Sequence, residues 1–335
     1  MIAVFLGAGF SAPAGVPLAS QLFDTRPDVD RITRQQLVDR VLHRWNDWKD
    51  ATGRSPEEYL ADLQTGGGAA WQDAQRYVGL VIALAMGHLE LVGLNTTLVR
   101  HNLNRTTRVQ AHEAFWTTIF RKTDDISVLT TNYDILPERG IRHERRPRVP
   151  RPGFHYGWGP EQLAGGGYPS YSHIQKISIA GTVPVYKLHG SVSWSYRNGH
   201  LVRYHDCRPA IRGDAAIVAP VTAKTLPAYL EPVWTNAKRA LSSSRTWLVV
   251  GYSLPEYDVL VRELLEGSAR DPVVHVFDPD PGAAQRFRSL LGDRTVVPHN
   301  GLPDGIRDLE EVLSLKSLQN TRQQQRTAGG ASRRS

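Results

Sequence analysis

The sequence predicts an α/β protein with a Rossmann-like, doubly wound parallel sheet and a helical insertion after the first strand. An apolar run, Ile2 to Leu6, stops at Gly7 and Gly9, and small residues follow it. This pattern is typical of a buried strand, a tight turn and the start of a helix. The stretch from about 31 to 122 has helical patterns, and the C-terminal third alternates strand and helix patterns. Such alternation requires crossover connections, which predicts a parallel sheet covered on both faces.

The composition is that of a globular protein of one or two domains. The 335 residues are 41% hydrophobic and 22% charged, and there is one cysteine, Cys207. A single cysteine excludes an internal disulfide and a Cys-x-x-Cys metal site, and this usage is typical of a reducing compartment. The N-terminus lacks a signal-peptide pattern, and the most apolar stretch, Val78 to Leu94, contains His88 and Glu90. We therefore expect a cytoplasmic protein without a membrane segment.

The net charge of +7 does not by itself indicate a nucleic-acid-binding protein. Five lysine and arginine residues lie in the last twenty positions, 316–335, without an acidic residue among them, and a second basic cluster lies between Arg139 and Arg151. Such runs are usually solvated surface, so we do not expect direct nucleic-acid binding, although the sequence leaves the role of the cluster at 139–151 open. The tail has almost nothing to bury, which predicts disorder.

The segment from about 31 to 122 is predicted to be a helical insertion. It has helical patterns at Gln35 to Trp48, at Ala69 to Val92 and at Val109 to Lys122, and a capping-box start at Ser55. Four tryptophans at helical spacing are expected to be core residues: Trp45, Trp48, Trp71 and Trp116. The β-branched run of a second strand does not appear in this stretch, which weakens the interpretation as an NAD-dependent dehydrogenase.

Polar side chains directly follow two predicted strands. The strand Ile126 to Thr130 runs into Asn132 and Asp134, and the strand Val183 to Leu188 ends at His189. Open α/β sheets bind ligands at the carboxyl ends of their strands, which makes these side chains candidate site residues. Taken alone, Asn132 could be a turn residue, His189 could simply end a strand, and Asp134 could cap the next helix.

The rest of the chain is predicted from turn residues and apolar runs. Residues from about 137 to 184 are expected to form an irregular excursion or lid. A hairpin centred on Asn198 and Gly199 follows, and then a strand at Ala215 to Ala219. The C-terminal third is predicted to contain the strands Trp247 to Val250, Val273 to Phe277 and Thr295 to Pro298, and helices that end near Leu265, Leu291 and Leu315.

Four strand ends carry distinctive residues, namely Gly7-Ala8-Gly9-Phe10-Ser11, Thr131-Asn132-Tyr133-Asp134, Lys187-Leu188-His189-Gly190-Ser191 and Gly251-Tyr252-Ser253-Leu254-Pro255. Together they resemble the sirtuin superfamily in the order and approximate spacing of its NAD-binding core. More narrowly, the chain resembles the bacterial sirtuin-like (silent-information-regulator-type) NADase domains of antiphage defence systems. The resemblance implies one NAD-binding domain over residues 1–315, containing the helical insertion and the excursion, followed by the basic tail 316–335.

The resemblance also implies a role for each candidate residue. Nucleotide-binding residues would be Gly7, Ala8, Gly9 and Ser11 at the pyrophosphate, Gly251 and Ser253 over the phosphates and ribose, and Asp278 at the adenosine. Asn132 would hold the nicotinamide ribose and a water molecule, Asp134 would bind the nicotinamide carboxamide, and His189 would be the general base. Histidine titrates near neutral pH, which suits base chemistry there.

One departure from the sirtuin pattern decides the expected reaction. Sirtuin deacylases carry a zinc ribbon of four cysteines, and this chain has one cysteine, so we expect no zinc and no seat for an acylated peptide. Water is then the expected acceptor, which predicts hydrolysis of the substrate NAD⁺ to ADP-ribose and nicotinamide. The resemblance to the defence domains further implies that the protein is the NAD-depleting effector of an antiphage (abortive infection) system.

The partners and two other functions are also expectations from the resemblance. A homo-oligomer is expected, as is a separately encoded partner such as a HerA-type ATPase or a short Argonaute complex. The first alternative function is an NAD-dependent protein deacylase or ADP-ribosyltransferase. The second is a module that senses NAD or ADP-ribose without catalysis.

Overall fold

The structure is a computed structural model that describes most of the chain. The described residues are 1–24, 26–29, 31–86, 110–141, 153–158, 162–163, 175–176, 181–204, 206–219, 226–268, 271–292 and 295–314. The last part of the predicted helix to Val92, most of the basic cluster at 139–151 and the tail 316–335 therefore lie outside the described residues.

The strands form two sheets. In chain order they are β1 (Ile2–Leu6), β2 (Ile126–Thr130), β3 (Gly153–His155), β4 (Gln162–Leu163), β5 (Gln175–Lys176), β6 (Thr182–Lys187), β7 (Gly190–Arg197), β8 (His200–Arg203), β9 (Ala215–Ile217), β10 (Thr246–Val250), β11 (Val273–Phe277) and β12 (Val296–His299). The main sheet has seven strands in the order β12-β11-β10-β1-β2-β6-β3, and the second sheet has five in the order β5-β4-β8-β7-β9.

The helices connect and cover these strands. In chain order they are α1 (Ala8–Ser11), α2 (Ile32–Thr52), α3 (Pro56–Gly66), α4 (Gly68–Ala85), α5 (Gln110–Lys122), α6 (Leu136–Ile141), α7 (Arg208–Arg212), α8 (Glu231–Ser243), α9 (Val259–Glu266), α10 (Pro281–Leu291) and α11 (306–314). None of the helices in the described part of the chain is both long and apolar enough to span a membrane.

The main sheet confirms the predicted fold class, because all of its strand pairs are parallel. The first strand lies in the middle, with β10 on one side and β2 on the other. Every residue of β1 and β2 is buried, as expected for strands covered on both faces. Leu6 pairs in register with Thr130 and with Val250, so these three strands end at the same level. The loops that follow them therefore meet at one edge of the sheet.

The second sheet contains the predicted hairpin and the predicted strand β9. Asn198 has a φ of 50° and Gly199 a φ of 81°, which confirms the two-residue turn between β7 and β8. The strand β9 pairs antiparallel with β7 and so does not belong to the main sheet. The predicted irregular excursion is regular in part, because it contains most of α6 and the short strands β3, β4 and β5. Of these strands, β3 pairs with β6 at the edge of the main sheet.

The helical insertion packs as a small helical layer. The helices α2 and α3 both contact α4, and α4 in turn contacts α7 and β9. Ser55 begins α3 with the predicted capping box, since its hydroxyl accepts from the Glu58 amide and the Glu58 carboxylate accepts from the Ser55 amide. The tryptophans are core residues as predicted: Trp45 and Trp116 are buried, and Trp48 and Trp71 pack against the core.

The glycine that begins β7 supplies a matched test of packing. Gly190 has a φ of 80°, and a Cβ there would lie 2.0 Å from the Ala216 carbonyl oxygen. Gly199 has nearly the same φ of 81°, with no atom within 4 Å of its Cβ position. We expect Gly199→Ala to cost about 1 kcal/mol of unfolding free energy from backbone strain alone. Gly190→Ala should cost about 3 kcal/mol or more, because it adds a clash with backbone. Equal costs in urea unfolding would contradict this packing.

A half-buried histidine pair makes stability depend on pH. Burial, and then the neighbouring His299, lower the pKa of His275 from 6.5 to about 4, and His275 Nδ1 lies 2.9 Å from His299 Nε2. Between these two pH values the unfolded chain binds a proton at this ring that the folded chain does not bind. Stability therefore falls as the pH is lowered from about 6.5 to about 4, by roughly 1–2 kcal/mol for a ring that solvent partly reaches.

We expect the unfolding free energy of the variant His275→Asn to fall less between pH 7 and pH 4.5 than that of the wild type. His200→Asn changes an exposed histidine and serves as the control, with the acid sensitivity of the wild type. Wild-type acid sensitivity in His275→Asn would assign the effect to another group.

Candidate active site

The candidate site residues meet in one cavity at the carboxyl ends of the parallel strands. The cavity has a volume of about 700 Å³, which lies in the usual range for small-molecule sites. Nine of the ten residues predicted from the sequence line it: Ala8, Gly9, Ser11, Asn132, Asp134, His189, Gly251, Ser253 and Asp278. The tenth, Gly7, lies behind this wall and packs against the strand end of β10.

The floor of the cavity is a contact between two glycine turns. The Gly7 amide donates to the Val250 carbonyl at 3.0 Å, and the Gly9 amide donates to the Gly251 carbonyl at 2.8 Å. A Cβ at Gly7 would lie 2.4 Å from the Gly251 oxygen, and one at Gly251 would lie 2.2 Å from the Phe10 nitrogen. Gly251 also has a φ of 61°, which glycine adopts without strain. Both turns thus require glycine because backbone packs on backbone.

Ser11 joins the polar residues of two strand ends. Its hydroxyl donates to Asp134 Oδ2 at 2.7 Å and accepts from Asn132 Nδ2 at 2.9 Å. The same Asn132 amide nitrogen also donates to the Gly7 carbonyl at 2.7 Å. Because the amide nitrogen of Asn132 is engaged twice within the protein, its amide oxygen is the atom left to bind a ligand.

Asp134 has a structural role in addition to its place in the cavity wall. Its Oδ1 accepts from the Leu136 amide at 2.9 Å, while its Oδ2 accepts from Ser11. The helix-capping interpretation of this residue is therefore supported by geometry. A carboxylate has further lone pairs, so the group can still accept a hydrogen bond from a ligand amide.

A buried ion pair supports the loop that carries Asn132 and Asp134. The side chain of Lys187 is fully buried; its ammonium lies 3.2 Å from Glu138 Oε1 and donates to the Asp134 carbonyl. The Tyr156 hydroxyl donates to the same Glu138 oxygen at 3.0 Å. Buried charges persist when they are paired and hydrogen-bonded, as the Lys187 ammonium and Glu138 Oε1 are here. Glu138 Oε2 is buried without a hydrogen-bond partner among the described residues. The pair joins the end of β6 to the first turn of α6.

His189 faces a buried carboxylate that the sequence did not reveal. His189 Nε2 lies 3.4 Å from Asp258 Oδ1, and the two side chains are 5% and 3% exposed. The Tyr252 hydroxyl donates to the other oxygen, Asp258 Oδ2, at 2.7 Å. Burial, and then the charge of Asp258, raise the pKa of Tyr252 and of Tyr133 well above their usual range. These tyrosines are therefore neutral hydrogen-bond donors at neutral pH.

The opposite end of the cavity carries two carboxylates after β11. Burial raises the pKa of Asp278, whose Oδ1 accepts from the Asp280 amide at 2.9 Å. Asp280 caps α10 by accepting from the Gly282 amide at 2.8 Å and lies 2.6 Å from Arg286 Nη2. That guanidinium and the cap hold the pKa of Asp280 below its usual range. Asp278 is thus the less strongly paired of the two.

Asp258 and Tyr252 are the site residues that sequence reasoning missed. Asp258 directly precedes α9, a position where aspartate is common because it caps helices. Helix capping alone therefore accounts for an aspartate at this position, and the sequence did not mark Asp258 as a site residue. In the described part of the chain, the histidine, cysteine and acidic side chains do not form a metal-binding group of three or more.

The site lies within a region that matches a known family. Residues 126–298 match the SIR2-like domain, which is more than half of the chain. The chain belongs to the SIR2-like domain family. The matched region of this SIR2-like chain contains Asn132, His189, Gly251 and Asp258, whereas the first glycine turn precedes it. Membership of the family indicates catalysis that involves NAD.

Solved Sir2 structures are also similar to this SIR2-like chain. One comes from work on the mechanism and regulation of Sir2 enzymes; it is 13% identical, with 96% of this chain and 93% of that chain covered and a TM-score of 0.43. A mutant Sir2 homologue in complex with 2′-O-acetyl ADP ribose is 16% identical, with 93% and 90% covered and a TM-score of 0.44. Another mutant in complex with ADP ribose is 15% identical, with 96% and 92% covered and a TM-score of 0.41. The sequence matches none of the curated proteins with which it was compared.

The Ser11 hydroxyl supplies a test of the polar network. Ser11→Ala removes the donor to Asp134 and one acceptor of Asn132 at a position that is 1% exposed. We expect the unfolding free energy to fall by about 1–3 kcal/mol, because a buried carboxylate oxygen loses its partner. Ser20→Ala, at an exposed position, is the control and should be close to the wild type in urea unfolding. A Ser11→Ala variant as stable as this control would show that the network does not contribute.

Proposed function

We propose that this SIR2-like protein hydrolyses NAD⁺ to ADP-ribose and nicotinamide. The observation that carries the proposal is the single cavity in which Asn132 and His189 meet the glycine turn of β1. The three features come from three different strand ends, and the parallel sheet aligns those ends at one edge. The choice of NAD⁺ as the substrate is supported by membership of the SIR2-like domain family.

The cavity suits an extended dinucleotide. Gly9 and Gly251 expose backbone beside Ser11 and Ser253, which is a surface that can approach a pyrophosphate closely. Asp278 lies beyond Gly251 at the carboxyl end of β11, where an acceptor for ribose hydroxyls is expected. Asn132, Asp134 and His189 would then be next to the nicotinamide riboside. In this orientation the bond to be broken lies beside polar side chains that can hold a water molecule.

The chemistry balances with water as the second substrate. The bond between ribose C1′ and the nicotinamide nitrogen breaks, and its electron pair leaves with nicotinamide, which becomes neutral. The water oxygen forms the new bond to C1′, and its proton passes to the neutral imidazole of His189 and then to solvent. The transition state resembles an oxocarbenium ion, so the protein has to orient the water and stabilise positive charge at C1′.

Asn132 and Asp134 have distinct parts in this reaction. The amide oxygen of Asn132 accepts from the attacking water or a ribose hydroxyl, since its nitrogen is already held by Gly7 and Ser11. The Asp134 carboxylate, fixed by Ser11 and by the Leu136 amide, accepts from the nicotinamide carboxamide. Both side chains are held before the substrate arrives, which lowers the entropic cost of reaching the transition state.

The biological role that we propose is depletion of NAD in antiphage defence, as in the sirtuin-like defence proteins that the chain resembles. Water as acceptor is supported by the single cysteine, which leaves no four-cysteine ribbon beside the cavity. Free NADase activity is toxic, so we propose control by homo-oligomerisation or by a separately encoded partner such as a HerA-type ATPase or a short Argonaute complex. Co-purification from the native host tests the partner, and recovery of the chain alone would contradict it.

The decisive experiment is NAD⁺ consumption by the purified protein with chromatography of the products. We expect nicotinamide and ADP-ribose from the wild type, and a fall in kcat of about 100-fold or more for Asn132→Ala and His189→Ala. The variant His200→Ala removes an exposed histidine on β8 and should keep wild-type activity. Thermal unfolding of each variant checks that lost activity is not lost structure.

The outcomes separate the proposal from its alternatives. Full activity in a folded Asn132→Ala or His189→Ala variant would contradict the site assignment. Turnover only with an acylated peptide or an acceptor protein would indicate a deacylase or ADP-ribosyltransferase. Tight NAD binding without nicotinamide release, also in the presence of partner proteins from the host, would indicate a sensor.

A further inference from the structure

Asp258 occupies a helix-capping position without capping the helix. It is the N-cap residue of α9, yet its side chain makes no capping hydrogen bond. Aspartate at an N-cap ordinarily accepts from the amides of the first turn, which stabilises a helix by about 1 kcal/mol. The side chain is instead turned toward the cavity, which it lines together with His189 and Tyr252. The protein has given up a local stabilisation for a contact within the site.

The contact engages both oxygens of the carboxylate. Oδ2 accepts from the Tyr252 hydroxyl at 2.7 Å, and Oδ1 lies 3.4 Å from His189 Nε2. Asp258 is 2% exposed, Tyr252 5% and His189 4%, so the arrangement is almost completely shielded from water. A carboxylate buried to this extent requires donors on its oxygens. The Tyr252 hydroxyl donates to Oδ2, and the His189 ring places Nε2 where an N–H can donate to Oδ1.

The geometry points to Asp258 as a positioning residue that holds the His189 ring with its proton on Nε2 and leaves Nδ1 as the basic nitrogen. The inference rests on the proposed function for its catalytic part, because Nδ1 is then the atom that takes the proton from the attacking water. In a neutral imidazole one nitrogen donates and the other accepts, and the partner of the first determines which is which. Asp258 accepts only, so the nitrogen that faces it must donate.

The neighbouring Tyr252 fixes the orientation of the Asp258 carboxylate. Its hydroxyl donates to Oδ2, which fixes the rotation of the carboxylate and keeps Oδ1 directed at the imidazole. A carboxylate beside the ring also stabilises the imidazolium that forms once the proton has been accepted. The same arrangement, a base oriented by a third group, recurs in enzymes in which a histidine activates a nucleophile.

The variant Asp258→Asn tests the tautomer directly. We expect its amide oxygen to accept from Tyr252 and its amide nitrogen to face His189, so that Nε2 becomes an acceptor and the proton moves to Nδ1. The measurement is ¹⁵N NMR of the full chain labelled at histidine, with the His189 signals assigned through His189→Gln. In the wild type the proton must be on Nε2, and finding it on Nδ1 would overturn the inference without any variant.

Kinetics test the catalytic consequence. We expect Asp258→Asn to lower kcat for NAD⁺ hydrolysis roughly 100-fold, as for a misplaced catalytic group, with KM changed less than threefold. Asp258→Glu restores a carboxylate and should recover part of kcat. The matched control is Glu256→Gln, which removes one negative charge from the same loop at an exposed position outside the cavity and should keep the wild-type kcat and tautomer.

Failure of this inference is distinguishable from failure of the proposed function. A wild type that hydrolyses NAD⁺, together with a folded Asp258→Asn variant of unchanged kcat or unchanged His189 tautomer, would overturn the positioning role alone. A wild type that never releases nicotinamide would overturn the proposed function. In that case the tautomer measurement still decides whether Asp258 positions the ring.

Discussion

The site depends first on the close approach of two backbone turns. The Gly9 amide donates to the Gly251 carbonyl at 2.8 Å, and neither turn has room for a Cβ. This contact joins the ends of β1 and β10, which are neighbours in the sheet and far apart in sequence. It also removes side chains from the place where a nucleotide phosphate would have to come close. The absence of a Cβ therefore allows the two strand ends to pack together and also leaves their backbone accessible to a ligand.

Polar groups then fix the remaining strand ends relative to this contact. Ser11 connects the glycine turn of β1 to Asn132 and Asp134 after β2, and Lys187 connects the end of β6 to the Asp134 carbonyl and to Glu138. Each partner is buried, so a missing group would leave an uncompensated dipole or charge in a nearly dry interior. The folded protein is therefore stable only when the loops after β1, β2 and β6 keep these relative positions. The same contacts restrict the movement of the candidate catalytic groups.

Sequence reasoning succeeded where the decisive interaction is local. The strand Ile126–Thr130, the capping box at Ser55 and the hairpin at Asn198 each follow from a few consecutive residues. It was incomplete where the structure of a segment depends on a partner that is distant in the sequence. The pairing of β9 with β7 places Ala215 to Ile217 in a second sheet, and nothing in a short apolar run specifies that partner. Asp258 was hidden for the same reason, because its capping position explained it locally while its contacts lie on β6 and β10 loops.

The charge of the cavity bears on how it could act on NAD⁺. Five acidic residues are among the described residues that line it: Glu57, Asp134, Asp258, Asp278 and Asp280. Lysine and arginine are absent from these described lining residues. A pyrophosphate there would be held mainly by backbone amides and hydroxyls, because the Arg286 guanidinium beside this lining is already engaged by Asp280 and by the Ser253 carbonyl. In the proposed hydrolysis the ribose, in contrast, becomes positively charged as nicotinamide leaves. Carboxylates beside it, buried in a medium of low dielectric constant, favour that charge in the transition state more than in the substrate. Under the proposed function, an acidic cavity that binds phosphates through backbone groups would favour cleavage of the glycosidic bond over tight ground-state binding.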